Sequence, residues 1–367
     1  MRIKLISFVF IISTFFTACI QDEPLNPEAD ILSFEIQNGM QIGEPIFNQD
    51  VITVMVRKSA DISHLKPVIA ITPGATITPD TTLYQDFTSP VAYTVTSEDG
   101  KNQRIYNVQV LSSSLYRYGF DRWKKASGAN YEMPVEYGSD GSEQYPWSSS
   151  NVGVNVYQQY ASADLFPVHS TTKVHDGTYA AEMRTQKGPG KIFNIQNIPI
   201  VAGSLFTGTM DLRNVMKDPL TATQFGLPFN EKPIRFKGWY KYKAGEGEYI
   251  YPEEKQPHSD KDFCAVYSVF YKVDETTKVL DGTNILTHKN IVAIAMLKDK
   301  EPTPGDDFRL FDIAFDYTVS DHVVDFEKND YKLAIIFSSS FYGDYYEGVP
   351  GSTLVVDDVI IEIEENE

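Results

Sequence analysis

The chain has 367 residues, with 32 Lys and Arg against 50 Asp and Glu and a formal net charge of −18 at neutral pH. Such an acidic balance argues against nucleic acid as a partner, because phosphate binding relies on clustered Lys and Arg. Two cysteines, Cys19 and Cys264, are too few for a disulfide framework, and the length allows two or three domains.

Residues 1–18 read as a targeting segment: Arg2 and Lys4 give a positive start, Leu5 to Phe16 form an apolar run, and the small residues Thr17 and Ala18 precede Cys19. The order resembles a bacterial lipoprotein signal, in which cleavage leaves Cys19 as the acylated first residue. The apolar run is shorter than the ~20 residues that cross a bilayer, and no later run is long enough either. The expected contact with membrane is therefore the lipid alone, on an outer-membrane lipoprotein facing the surface or the periplasm. Losing Arg2 and Lys4 moves the formal charge from −18 to −20. Residues 19–29 form a tether, in which Asp22 and Glu23 are either a surface-export signal or simple solvated charge.

From Asp30 to Ser112, the runs ILSFEI, VITVMV, HLKPVIAI, VAYTVT and RIYNVQV alternate with Pro, Gly, Asn and Asp turn signals, the spacing of a small β-sandwich. The stretch SPVAYTVTSEDGKNQRIYNVQVL, with Asp99-Gly100 at a hairpin, resembles the final hairpin of bacterial immunoglobulin-like modules, which usually act as spacers. A serine cluster, Ser112 to Ser114, marks the boundary.

Residues 115–367 also predict an all-β domain. In FRLFDIAFDY, Phe311, Ile313, Phe315 and Tyr317 fall on one side and Asp312 and Asp316 on the other. In IRFKGWYKY, Phe236, Gly238, Tyr240 and Tyr242 share one face, and Arg235, Lys237, Trp239 and Lys241 the other. Cys264 lies in DFCAVYSVFYKV, where a thiol acts as a small buried hydrophobe. Gly138 to Gly141, Lys187 to Gly190 and Glu301 to Asp307 read as rim loops. In the last run, Val355, Asp357, Val359, Ile361 and Ile363 share one face, which sets Asp357 among apolar neighbours. A buried carboxylate requires a cation or several amide hydrogens.

The motif FSSSFYGDYYEGVPGSTLVVDDV, with PIRFKGWYKYKAG (233–245) and VHDGTYAAEMRT (174–185), is similar to the putative carbohydrate metabolism domain family of bacterial surface lipoproteins. The resemblance covers roughly the last two thirds of the chain. It implies a jelly-roll β-sandwich like those of carbohydrate-binding modules, and a connection to sugar without a defined reaction. In such jelly rolls a metal often ties an early acid to a Gly-containing loop and an acid of the last strand. The matching positions are Asp121 in GFDRW, Asp176 beside Gly177 in HDGTY, and Asp357 in VDDV. A structural calcium, which takes six to eight oxygen ligands, is one candidate there; amide or Arg/Lys pairing of Asp357 is the other.

Zinc-protease, nucleophile-elbow, phosphate-loop and dinucleotide motifs are missing, and the six histidines are scattered singly. Glycosidase chemistry needs only two well-placed carboxylates, and Glu132, Glu136, Asp312 and Asp316 are candidates no more distinctive than others. Sugar binding needs flat aromatic faces beside hydroxyl-pairing groups. That combination occurs at Tyr145, Trp147 and Asn151, and at Tyr342, Tyr345 and Tyr346, where the rings are either exposed platforms or plugs that close the sandwich end. Trp239 is either a ligand platform or a partner of its basic neighbours. The resulting expectation is a non-catalytic, lipid-anchored glycan-binding protein; a glycoside hydrolase or lyase and a protein-binding adhesin are the rivals.

Overall fold

A computed structural model describes residues 25–364, apart from 38–39, 42–44, 49, 57–59, 113–115, 139–142, 193–195, 213, 215–217 and 327. Cys19, the targeting segment, Asp22 and Glu23 lie outside the described residues, as does most of the Gly138 to Gly141 stretch. Among the described residues, no helix is long and apolar enough to cross a membrane.

The chain is all-β, and its N-terminal and larger parts have separate apolar cores. In the N-terminal part, Ile31–Ile36 pairs with Pro67–Ile71. A five-stranded sheet runs in the order Ile46–Asn48, Val51–Met55, Gln103–Leu111, Val91–Thr96, Thr76–Thr78. Phe34, Ile52, Val54, Tyr93, Val95 and Val108 are buried between these layers. All five runs read from the sequence are strands, and Gly100, at φ 69°, takes the left-handed turn position at Asp99-Gly100.

The larger part is a two-layer sandwich of the jelly-roll kind. One sheet runs Trp147–Ser149, Ser204–Met210, Asp330–Ser338, Ala265–Val273, Ile291–Met296, with Thr223–Phe225 and Leu227–Pro228 added at its side. The other runs Val168–Thr171, Ala180–Arg184, Thr353–Ile363, Pro233–Lys243, Arg309–Ala314, with Arg117–Tyr118 paired to the last strand of the chain. Phe236, Tyr240 and Tyr242 point inward as their alternation predicts, with Phe311 beside them. Gly238 is required by that packing, since a Cβ there would stand 2.6 Å from the Phe311 ring. Cys264 is buried in the same core, where desolvation pushes its thiol up to about 12, so it packs as a hydrophobe.

Three local expectations are corrected. Lys187 to Gly190 is not a rim loop: it lies in the strand Gln186–Ile192, paired with Gln196–Val201 through a register shift. A Cβ at Gly188 would come within 1.9 Å of the Ile198 carbonyl oxygen, so close backbone approach explains this glycine. Trp147 belongs to a strand and is only 1 % exposed. It is a plug in the sandwich, packed against Tyr118, Phe120 and Phe337. Its indole N–H donates to Glu136 Oε1 at 3.0 Å.

The third correction concerns the last strand. Leu354 and Val356 face the core, and so do Val359 and Ile361, which leaves two residues, Asp357 and Asp358, between the inner pairs where strict alternation leaves one. The register slips between Lys237 and Trp239, and Asp358 has a φ of 48°, so a β-bulge reverses the phase there. Val355 and Asp357 consequently face outward, opposite Trp239 and Lys241. Asp357 is nevertheless fully buried, because the turn 174–178 folds over it. Its Oδ2 accepts the backbone N–H groups of His175 (2.7 Å) and Asp176 (3.3 Å), and its Oδ1 accepts that of Asp358 (3.0 Å). Asp121 accepts the Thr178 N–H, and the His175 ring stacks on Trp239 with 3.9 Å between centroids.

Of the two candidates for Asp357, this geometry presents the amide pairing. No group of three or more acidic, His or Cys side chains able to hold a metal converges among the described residues, and amide hydrogens already occupy the Asp357 oxygens. Asp121 and Asp357 clamp a turn. Gly177→Ala should therefore cost at least ~2 kcal/mol: its φ of 74° is disfavoured for alanine, and the new Cβ would lie 2.2 Å from Asp121 Oδ1. EDTA should leave the Tm unchanged, and a chelator-induced fall in Tm would restore a metal to this turn.

A pH dependence follows from the carboxyl beneath Trp147. Burial pushes Glu136 up to about 7, with the Asp121 charge adding to it, although Trp147 and Gly119 donate hydrogen bonds that oppose the rise. Burial likewise pushes Asp357 up to about 6. A carboxyl whose pKa is raised on folding favours the folded state below its unfolded pKa, and the benefit fades as pH climbs through the folded value. Unfolding free energy should thus fall by about 3 kcal/mol between pH 4.5 and 7.5 on account of Glu136. Glu136→Gln should remove that part of the slope in urea titrations and leave the Asp357 part in place.

Candidate functional site

The seven-stranded sheet is apolar on both faces, and the site lies on its outer one. In Asp330–Ser338, Leu333, Ile335 and Phe337 enter the sandwich core, while Ala334 and Ile336 belong to a second apolar cluster on the far side. In Ala265–Val273, Val266 and Phe270 point inward, and Ala265, Tyr267, Val269 and Tyr271 point outward. Exposing the outer set to water would cost about 25 cal/mol per Å² of apolar surface, so other segments cover it. One is the short helix Ser150–Tyr157, which turns Val154 inward. Others are the hairpin strand Gln196–Val201 and the crossing 340–346 after the Asp330–Ser338 strand.

These covers leave a pocket of about 160 Å³. Phe206, Tyr267 and Ile336 line it from the sheet, Tyr157 from the helix, and Phe341 and Tyr346 from the crossing. Ser150, Ser204, Ser338 and Ser340 add hydroxyl groups, and Asp344 is its one charged lining residue among the described residues. Burial raises the Tyr267 hydroxyl far above the usual phenol range, and the Asp344 charge adds to that. Burial also raises Tyr346, helped by the charge of Asp218. These phenols are neutral hydrogen-bonding groups at any working pH. Desolvation by the surrounding segments pushes the Asp344 carboxyl up to about 7, with the Glu347 charge adding to it, but the residue is exposed, and water screens that push.

The residues singled out from the sequence do not converge on this pocket, except for Tyr346. Tyr342 and Tyr345 sit on the other side of the same crossing, ringed around His258 at centroid distances of 4.9 and 4.5 Å. A fully buried carboxylate, Glu347, holds that histidine: it accepts the His258 backbone N–H at 2.8 Å, contacts its Nδ1 at 2.7 Å, and accepts the Tyr249 hydroxyl at 3.1 Å. Asn151 is buried and structural. Its amide donates to the Val168 carbonyl and its Oδ1 accepts the Val168 N–H, so it is removed from the ligand-binding set together with Trp147. Tyr145 is half-buried and donates to Glu143, which Lys124 also engages; both of these charged residues line an open cleft beside the exposed Tyr137 and Tyr179. Trp239 lies on the outer face of the six-stranded sheet with one ring face covered by His175. Trp147, Trp239 and Tyr345 share no groove.

The acids considered for glycosidase work are likewise dispersed. Glu132 accepts the backbone N–H and hydroxyl of Ser170, Asp312 pairs with Arg235, and Asp316 holds Thr318. Glu182 is also spoken for. Burial works to raise it, but hydrogen bonds from His169 and Arg184 outweigh that and hold it down to about 2.

Sequence reasoning missed Tyr157, Phe206, Tyr267, Phe341 and Asp344. A signal existed in AVYSVFYKV and YKLAIIFSS, whose apolar residues occupy both alternate sets and mark strands covered on two sides.

Residues 119–362 match the putative carbohydrate metabolism domain family, and residues 31–110 match the family of SGBP N-terminal domains. The chain is similar to a solved structure named as a putative glycoside hydrolase from Bacteroides thetaiotaomicron, at 34% identity over 94% of this chain and 100% of that one, with a TM-score of 0.80. A second structure bearing the same description, from Bacteroides vulgatus, is 31% identical over 69% of this chain and 99% of its own, with a TM-score of 0.61. No curated protein matches. With two thirds of its length matched to the family and a full-length relative above 30% identity, the chain belongs to the putative carbohydrate metabolism domain family.

Proposed function

We propose that this protein is a lipid-anchored cell-surface glycan-binding protein that holds sugar in the pocket on the seven-stranded sheet without cleaving it. The observation that carries the proposal is the lining: phenol rings and serine hydroxyls surround one carboxylate among the described residues. Aromatic faces stack on the C–H side of a pyranose, and hydroxyls and Asp344 receive its rim. The two family matches, to carbohydrate metabolism and SGBP N-terminal domains, support the same reading.

A hydrolase reading draws on the names carried by the two solved relatives. Glycoside hydrolysis in its usual forms requires two carboxyl groups flanking the bond. Asp344 has no such partner in the pocket lining among the described residues, which favours capture over cleavage.

Binding measured by calorimetry against a panel of polysaccharides should show one or more ligands whose affinity drops at least ~10-fold, about 1.4 kcal/mol, in Tyr346→Ala and in Tyr157→Ala. No reducing ends should accumulate. Retention of full affinity in both variants would move the site elsewhere, and sugar release abolished by Asp344→Asn would convert the reading to an enzyme. Cys19→Ala should shift the protein from the membrane fraction to the soluble fraction of cells.

A further inference from the structure

The charge distribution around the pocket selects among glycans. Of the residues that line it, Asp344 alone is charged among the described residues, and it is acidic. A second carboxylate, Asp218, acts on the phenol of Tyr346 at the pocket wall. Lys300 has its ammonium 3.5 Å from the centroid of the Phe341 ring and is not among the residues that line the pocket. The whole chain adds a formal charge of −18.

Resting on the binding reading above, we infer that the pocket takes an uncharged glycan and rejects sugars that carry a carboxylate or a sulfate. A uronate or sulfated sugar entering it would shed its hydration. Among the described residues, the lining would return hydroxyl hydrogen bonds and no cation, and would add repulsion from Asp344 and Asp218. A neutral hexose meets no such penalty. Its hydroxyls donate to Asp344, and its C–H face lies against the phenol rings. Selection by an unpaired like charge discriminates strongly, because the wrong ligand loses energy even where its shape fits.

The experiment is calorimetry with the mature protein at pH 8, where Asp344 is ionised, using matched neutral, uronate-containing and sulfated oligosaccharides. A neutral ligand should bind, and the anionic analogues should bind at least ~100-fold more weakly. Repeating the titrations at 1 M salt, where the Debye length falls to about 3 Å, separates the pocket from the net charge of the chain: the preference should persist. Asp344→Lys, at an exposed position that leaves the fold intact by circular dichroism, should raise affinity for the anionic analogues at least ~10-fold. Tight wild-type binding of an anionic oligosaccharide that is lost in Tyr346→Ala would overturn the inference and leave the binding reading standing, as would a preference that vanishes at 1 M salt. Failure of every oligosaccharide to bind would overturn the binding reading itself.

Discussion

Everything on the functional side of this molecule depends on one sheet that cannot tolerate water on either face. Ala265–Val273 and Asp330–Ser338 carry apolar side chains in both alternate positions, and each large one is worth about 1.5–3 kcal/mol when buried. The six-stranded sheet satisfies one face. The other must be closed by whatever the chain can bring, and it brings a two-turn helix, a bulged hairpin, Leu280 and Ile285 from a long connection, and the crossing that follows residue 338. Pieces with separate origins do not meet without a gap. The pocket is that gap, and its chemistry is inherited from the cover: hydroxyls from the helix start and strand ends, phenols from the helix end and the crossing.

The opposite side of the sandwich obeys a different rule. The outer face of the six-stranded sheet is solvated and laced with ion pairs, such as Arg235 with Asp312 and Lys237 with Glu362. Exposed pairs of this kind contribute little to stability. The organised feature on that face is the bulge at Asp357-Asp358, which turns one carboxylate under a tight turn and satisfies it with amide hydrogens. Asp121 does the same from the other side of the turn. The buried Asp357 and the exposed Asp121 therefore act as turn braces, and no third metal-binding side chain joins them among the described residues.

Legibility in the sequence followed the range of the interaction that decides each feature. The alternations in 235–242 and 309–315 were readable because one face meets core and the other water, a purely local pattern. The immunoglobulin-like runs and the turn at Asp99-Gly100 were readable for the same reason. Trp147 was not. Its flanking serines resemble a loop, and only the distant Glu136, Phe337 and Tyr118 make it a core residue. The bulge at Asp358 escaped because strict alternation holds until a backbone torsion breaks it. The Gly-Pro-Gly of 188–190 suggested a turn, whereas the glycine answers to the Ile198 carbonyl across a hairpin. The pocket draws on segments up to some two hundred positions apart, from Ser150 to Tyr346, and no window of sequence contains it.

Membership of a family fixes the scaffold and leaves the chemistry to the site. Two neighbouring aromatic arrangements on one crossing make the point. On one side, Tyr342 and Tyr345 spend their faces on His258, itself pinned by the buried Glu347, so those rings are structural before they are available to a ligand. On the other side, Tyr346 and Phe341 border open space together with Tyr157 and Tyr267. A ring spent on the protein, as Phe341 partly is under Lys300, must give up that contact to meet a sugar on the same face. The same accounting separates capture from cleavage. Asp344 can receive hydroxyls by itself, but protonating a leaving group and stabilising the opposite face of a sugar ring are two tasks, and one carboxylate cannot stand on both sides of a bond.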